Sequence, residues 1–211
     1  MAAVKYLSRI ATSLIYFISA AVLASDGVED PTLALQARLL ATDGIVANFT
    51  QQVTNAQGFV IEQASGTLHV AKPKFRWEVL DPFPQIILAD GNQLEIYDPD
   101  LEQVTTKTLD GALDQAPLAL LTQADLDLGG HFEVDLQAFE NQRYILRPRS
   151  ADALFERVEL VFLGDKLLTL LIHDHSGQQT VIRFTQYQAG QVIQSELFEL
   201  EYPPGTDIVR G

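Results

Sequence analysis

The chain contains no cysteine, one tryptophan and one methionine, and half as many basic as acidic residues, 14 Lys and Arg against 28 Asp and Glu. Without cysteine there is no disulfide framework, no thiolate metal site and no sulfur to carry a lipid anchor. The deficit of bases excludes a protein built to neutralise nucleic-acid phosphates, and the formal net charge is −14. Beyond the first two dozen residues no apolar run approaches the ~20 residues of a membrane-spanning helix. Even the run from Leu167 to Ile172 closes at His173-Asp174-His175. A glycine-rich phosphate cradle, a dinucleotide fingerprint and a serine elbow are also missing. What is present is an apolar share of 47% over 211 residues, enough for a well-filled core and of a length suited to one domain.

At the N-terminus Lys5 and Arg9 precede an uncharged stretch, Ile10 to Leu23, that ends in small residues at Ala24. This pattern predicts a cleaved secretory leader over residues 1–24, followed by a single domain over residues 25–211. Removing the leader takes away two bases and no acids, which leaves 12 bases against 28 acids and a net charge of −16. The expected product is exported to the periplasm or beyond and is not lipid-anchored.

Leu35 and Leu39 stand at helical spacing between Pro31 and Ala41, and Asp30-Pro31 supplies an N-cap and a first-turn residue, so the sequence predicts a helix over 31–41. After Gly44 the pattern becomes short stretches rich in Val, Ile, Thr, Phe and Tyr, punctuated by turn dipeptides such as Gly91-Asn92 and Ser176-Gly177. Antiparallel strands are predicted at 46–53, 59–70, 75–79, 86–89, 93–97, 103–108, 132–136, 143–147, 157–162, 167–173, 180–188 and 197–200. A helical insert is predicted between them, from Asp114 to Leu128. The architecture is therefore mainly β: one large antiparallel sheet, curled or nearly closed, with two helical segments available to cover one face. Alternation places Phe75, Trp77 and Val79 on one face and Arg76 and Glu78 on the other. Several strands are apolar in runs, as in Ile86-Ile87-Leu88-Ala89. Either both faces are buried there, or a concave apolar face encloses a greasy ligand.

The residues that might carry chemistry do not assemble. His173-Asp174-His175-Ser176 holds acid, base and hydroxyl, but as chain neighbours whose side chains alternate between faces. His173 and His175 would share a face, yet two nitrogens fall short of the three protein ligands of a zinc site. Asp98-Pro99-Asp100 reads as a turn and not as a calcium loop. No enzyme activity, metal or cofactor is expected.

Several stretches together resemble one family, the periplasmic lipoprotein carriers of the LolA type. They are Ser65-Gly-Thr-Leu-His-Val-Ala-Lys-Pro-Lys-Phe-Arg-Trp-Glu78, Leu88-Ala-Asp-Gly-Asn-Gln-Leu-Glu-Ile-Tyr97, Asp98-Pro-Asp-Leu-Glu-Gln-Val-Thr105, Ala116-Pro-Leu-Ala-Leu-Leu121, and the closing Phe198-Glu-Leu-Glu-Tyr-Pro-Pro-Gly-Thr-Asp-Ile-Val209. The resemblance implies an unclosed antiparallel β-barrel covered by a helical lid, with an apolar cavity for the acyl chains of lipoprotein cargo. It implies loading by an inner-membrane LolCDE-type ABC transporter and delivery to an outer-membrane LolB-type acceptor, with the carrier a monomer. Phe49, Phe75, Trp77 and Leu88 are then the candidate acyl-chain cavity residues. Pro117, Leu118, Leu120 and Leu121 belong to the lid, and Lys72, a lid latch or a partner contact, stands where the family usually has the arginine that latches it. A lysine keeps the charge but loses the fork of donors. The same scaffold also admits a carrier of another lipid or glycolipid, or a periplasmic lipoprotein sensor.

Overall fold

A computed structural model describes residues 30–108 and 117–210. The expected leader, and residues 114–116 of the expected insert, lie outside the described residues.

The predicted first helix is α1 (Pro31–Ala41). Asp30 Oδ1 accepts the Thr32 N–H at 2.8 Å, and Pro31 occupies the first turn, where no N–H is needed. Leu35 and Leu39, one turn apart, are buried. The helix ends at Thr42, whose N–H and hydroxyl both reach the Arg38 carbonyl, at 3.1 and 2.8 Å.

Twelve strands follow: β1 (Ile45–Thr54), β2 (Val60–Ala71), β3 (Lys74–Asp81), β4 (Gln85–Ala89), β5 (Gln93–Asp98), β6 (Gln103–Thr108), β7 (Phe132–Ala138), β8 (Gln142–Pro148), β9 (Phe155–Leu163), β10 (Lys166–Asp174), β11 (Gln179–Gln188) and β12 (Asp207–Arg210). They form one sheet in the order β12-β6-β5-β4-β3-β2-β1-β11-β10-β9-β8-β7. Two meanders are thus joined where β11 returns to lie beside β1. Register shifts in the β1–β2, β2–β3, β1–β11 and β9–β10 pairs bend the sheet. The two edges, β7 on one side and β6 with β12 on the other, do not pair, so the barrel is unclosed.

One face of this sheet is largely apolar from β5 round to β7, and it turns polar at the β6 edge with Gln103, Thr105 and Lys107. Cross-strand pairing brings Ala47, Leu68, Trp77 and Ile87 into one row, and Leu170, Leu160 and Tyr144 into another. With Leu35 and Leu39 of α1 and Leu120, Leu121 and Leu128 they make a single core. The alternation expected of Phe75 and Trp77 holds: both are buried on this inner face.

The middle insert is less regular than its composition suggests. Pro117–Leu121 forms a 3-10 turn, and a helix of one turn, α2 (Leu128–His131), follows. Asp127 caps α2 through Gly130 N–H at 3.0 Å, and Gln36 Oε1 accepts the Leu128 N–H at 3.0 Å, tying α2 to α1.

The C-terminal segment departs from expectation. Residues 197–200 are not a strand; Ser195–Phe198 is a 3-10 turn lying across the outer face. The Arg76 guanidinium donates to the Leu197 carbonyl at 3.2 Å and the Tyr202 hydroxyl to Glu95 at 2.6 Å. The segment ends as β12, parallel to β6 in a sheet otherwise antiparallel. Burial and the bond to Glu95 raise the Tyr202 pKa above the usual phenol value. The stability this contributes is fully present below the unfolded value of about 10 and is lost as pH rises through the higher folded value. Tyr202→Phe is expected to cost about 1 kcal/mol at neutral pH and to lessen the fall in stability above pH ~10; urea titrations at pH 7 and pH 11 check both.

Candidate functional site

The site is the inner face of β1 to β5 and what covers it. Phe49 on β1 and Trp77 on β3 stack with ring centroids 3.6 Å apart and an interplanar angle of 21°. They can meet because Gly66, directly opposite Phe49 on β2, has no side chain between them. Phe75 lies two residues before Trp77, and Ile87 is the cross-strand partner of Trp77.

Two voids open onto this face. One, of about 180 Å³, lies under the 117–121 turn and is bounded by Pro73, Phe75, Ile87, Leu118, Ala119 and Thr122. The other, of about 450 Å³, lies at the opposite end of the strands against Trp77, Val79, Phe83, Pro84 and Ile87, with Gln51 and Asp98 at its polar margin. Ile87 borders both. The larger falls within the roughly 300–1,000 Å³ of ligand pockets. The hairpin tips at that end carry exposed Phe59, Phe83 and Leu101 at 69, 74 and 69% accessibility. Exposed aromatics clustered on one rim are uncommon away from interaction surfaces.

The structure brings together Phe49, Phe75 and Trp77. Leu88 it places elsewhere. Leu88 pairs with Arg76 and Glu95, so its side chain is on the outer face, where it shares a crevice with Glu95 and Phe198. The expectation that Leu88 lines the cavity is corrected on this ground: in the run Ile86–Ala89 the strand period of two turns Ile87 and Ala89 inward and Leu88 outward. The run is apolar on both faces because the C-terminal segment covers the outer one. Among the expected lid residues, Leu118 borders the smaller void, whereas Pro117, Leu120 and Leu121 are buried.

Lys72 holds the N-terminal helix and not the 117–121 turn. Its ammonium donates to the carbonyl of Leu39 and, at 3.4 Å, to that of Leu40, two of the unpaired carbonyls at the end of α1. Its own N–H donates to Asp43 Oδ1 at 2.9 Å. Burial lowers the pKa of this amine and the nearby Asp43 carboxylate opposes the shift.

The histidine stretch serves a turn and an ion cluster. Asp174 Oδ1 accepts from the hydroxyl and N–H of Ser176 and the N–H of Gln178, at 2.7, 2.8 and 2.8 Å. The Ser176 hydroxyl bond, with the two backbone N–H groups, holds its carboxyl below the usual range. His173 Nε2 lies 3.2 Å from Glu159 and His175 Nε2 3.1 Å from the Ala153 carbonyl, so the two imidazoles have different partners. Glu159, buried on the outer face, also binds Arg143 at 3.0 Å and Arg157 at 3.1 Å. Sequence reading missed this cluster, because its members lie on three strands whose register no local pattern reveals. The 98–102 segment is a turn as expected, with Asp98 Oδ1 accepting the Leu101 N–H at 3.1 Å.

The fold is a half-open barrel whose largely apolar concave face is roofed by helical segments. The family profile described as "Outer membrane lipoprotein carrier protein LolA" matches residues 41–201. A protein of Hahella chejuensis named outer-membrane lipoprotein carrier protein is 36% identical over 182 residues, covering 84% of this chain and 87% of that one. One of the same name from Chromohalobacter salexigens is 34% identical over 178 residues, covering 83% and 85%. The chain belongs to the LolA family of outer-membrane lipoprotein carriers. A crystal structure of an uncharacterised conserved protein of Thermus thermophilus shares the fold at 13% identity, with a TM-score of 0.54 over 85% of this chain and 98% of that one.

Proposed function

We propose that residues 25–211 act in the periplasm, after removal of the leader, as a monomeric shuttle. The shuttle takes acylated lipoproteins from an inner-membrane LolCDE-type ABC transporter to an outer-membrane LolB-type acceptor. The observation that carries this is the largely apolar inner face of β1 to β5, with Ile87 bordering two voids. An acyl chain entering past Trp77 displaces Ile87 and joins them into one channel beneath Leu118. Phe49, Phe75 and Trp77 are the cavity wall, and α1 and the 117–121 turn are the lid. The exposed Phe59, Phe83 and Leu101 form the rim at which cargo is received and handed on.

Energetics set the direction of transfer. Burying a methylene is worth about 0.8 kcal/mol, so three long acyl chains represent roughly 30 kcal/mol, beyond the ~20 kcal/mol at which non-covalent affinities saturate. A carrier of this kind cannot take lipoprotein from a bilayer unaided. Loading therefore requires an energy-consuming transporter, and unloading an acceptor that binds the chains more tightly.

Native mass spectrometry on the protein purified from the periplasm of cells co-expressing a triacylated lipoprotein tests the reading. The expected result is a one-to-one complex that disappears when the cargo's lipidated cysteine is replaced. A bound small lipid with no lipoprotein complex would instead mark a lipid carrier on the same scaffold.

A further inference from the structure

Over β3 to β5 the outer face of the sheet is crossed by the C-terminal segment, which is held by the Arg76 guanidinium on the Leu197 carbonyl and by the Tyr202 hydroxyl on Glu95. Over β8 to β11 comparable anchors stand open to solvent. Register sets Arg183 of β11, Thr169 of β10, Val161 of β9 and Arg143 of β8 in one row, and Val181, Leu171, Glu159 and Ile145 in the next. Arg157 and His173, themselves a cross-strand pair, follow beyond Glu159 and Leu171.

The charge of this face is opposite to that of the protein. The chain carries a net −14, yet these rows hold three arginines against one carboxylate. That carboxylate, Glu159, is buried and binds Arg143 and Arg157 at 3.0 and 3.1 Å, while the two arginine side chains remain 46 and 34% accessible. Arg183 is exposed and has no partner among the described residues. On one side β1 adds only the uncharged Asn48, Thr50 and Gln52. On the other, Arg147 is met by Asp135 and Glu133 at the β7 edge. The surplus of positive charge is therefore central, with apolar side chains between the arginines.

Such a row suits an extended segment whose first and fifth side chains are acidic and whose third is apolar. In a strand those three share a face and span about 13 Å, and Arg183 and Arg143 stand three strand spacings, about 14 Å, apart. A bilayer fits less well, because this is the convex side of the sheet and the acidic surface around it repels anionic lipid.

We propose that the outer face of β8 to β11 docks an extended acidic segment of a partner protein, its carboxylates on Arg183 and Arg143 and an apolar side chain over Val161. The proposal goes beyond the carrier reading. The surface lies on the side of the sheet away from the cavity, so a partner held there leaves the mouth free to exchange cargo.

Amide chemical shifts of the whole protein, titrated with the capped peptide Glu-Thr-Leu-Thr-Glu and with Lys-Thr-Leu-Thr-Lys as control, test it. At ~0.1 M salt, where charges beyond about 10 Å are screened, the acidic peptide is expected to move Arg143, Val161, Thr169 and Arg183 and to leave Trp77 and Ile87 unmoved. Binding should weaken toward ~1 M salt, where the screening length falls to about 3 Å. Arg183→Glu breaks no contact within the described residues and should leave the melting temperature unchanged. It should weaken the acidic peptide at least about fivefold and let the lysine peptide bind. No binding at ~0.1 M salt, equal binding of the two peptides, shifts confined to the cavity, or an affinity that Arg183→Glu leaves intact would each overturn the proposal. Recruitment of the protein to vesicles of phosphatidylglycerol and phosphatidylethanolamine, lost in Arg183→Glu and without peptide binding, would assign the face to a membrane and overturn it equally. The carrier reading is tested by lipoprotein binding in the cavity and stands or falls separately.

Discussion

Gly66→Ala is expected to destabilise the protein by at least about 3 kcal/mol, more than an added methyl usually costs. A Cβ at this position would stand 1.8 Å from the carbonyl oxygen of Glu78 and 2.9 Å from Cε1 of Phe49. The first neighbour is backbone of the adjacent strand and cannot rotate away, so β2 and β3 must part where the β2–β3 register already shifts between Ser65 and Gly66. The second is the ring that stacks on Trp77. Phe49→Leu should therefore not rescue Gly66→Ala, since it relieves only the side-chain contact, and Phe49→Ala alone should cost about 3–5 kcal/mol through the cavity it leaves. For a domain of this size a loss of about 3 kcal/mol lowers the melting temperature by roughly 6–12 °C. Urea denaturation of the three variants and the double variant checks the set. An unchanged midpoint for Gly66→Ala would mean that the strands do not approach as described.

The contrast between what could and could not be read from the sequence follows from the range of the forces involved. Helix α1 was legible because its cap, its first-turn proline and its Leu35–Leu39 spacing are all local. Strands β1 to β11 were legible because Gly, Pro, Asn and Asp punctuate β-branched stretches, and Phe75 and Trp77 showed their common face by alternation alone. Leu88 was misassigned because an apolar run hides the period of two, and only tertiary structure shows that Phe198 and its neighbours cover the outer face there. The same segment misled twice more. Leu197, Phe198 and Leu200 look like strand residues because they are half-buried on the sheet and not within it, while β12 is four exposed residues after Pro203-Pro204-Gly205, too short and too polar in setting to signal itself. The Glu159 cluster joins residues on three strands, and its chemistry exists only once register is fixed.

Lys72→Ala is expected to loosen α1 and speed cargo exchange, and Lys72→Arg to do the reverse. The ammonium is the side chain that answers the carbonyls of Leu39 and Leu40, where the helix dipole also favours a cation. Truncation leaves those carbonyls to water and should cost about 1–2 kcal/mol, a charged hydrogen bond less the desolvation it imposed. An arginine fork can meet both carbonyls at once and is more weakly hydrated, so it should hold the helix more firmly. Hydrogen exchange of the amides in the last turn of α1 and at Thr42 is the direct measure: faster in Lys72→Ala, slower in Lys72→Arg, with amides of β9 and β10 unchanged as the internal control. The pH dependence follows from the lowered pKa of the buried amine. Between that lowered value and the ~10.4 of an unfolded lysine, the unfolded chain holds more protons than the folded one, so stability rises with pH across that window. Lys72→Met should remove this rise. Because Leu35 and Leu39 seal the inner face from the same helix, a helix held more loosely exposes that face more often. Release of a bound lipopeptide to an acceptor should therefore order as Ala faster than Lys and Lys faster than Arg. An exchange rate indifferent to residue 72 would show that α1 is not the element that opens.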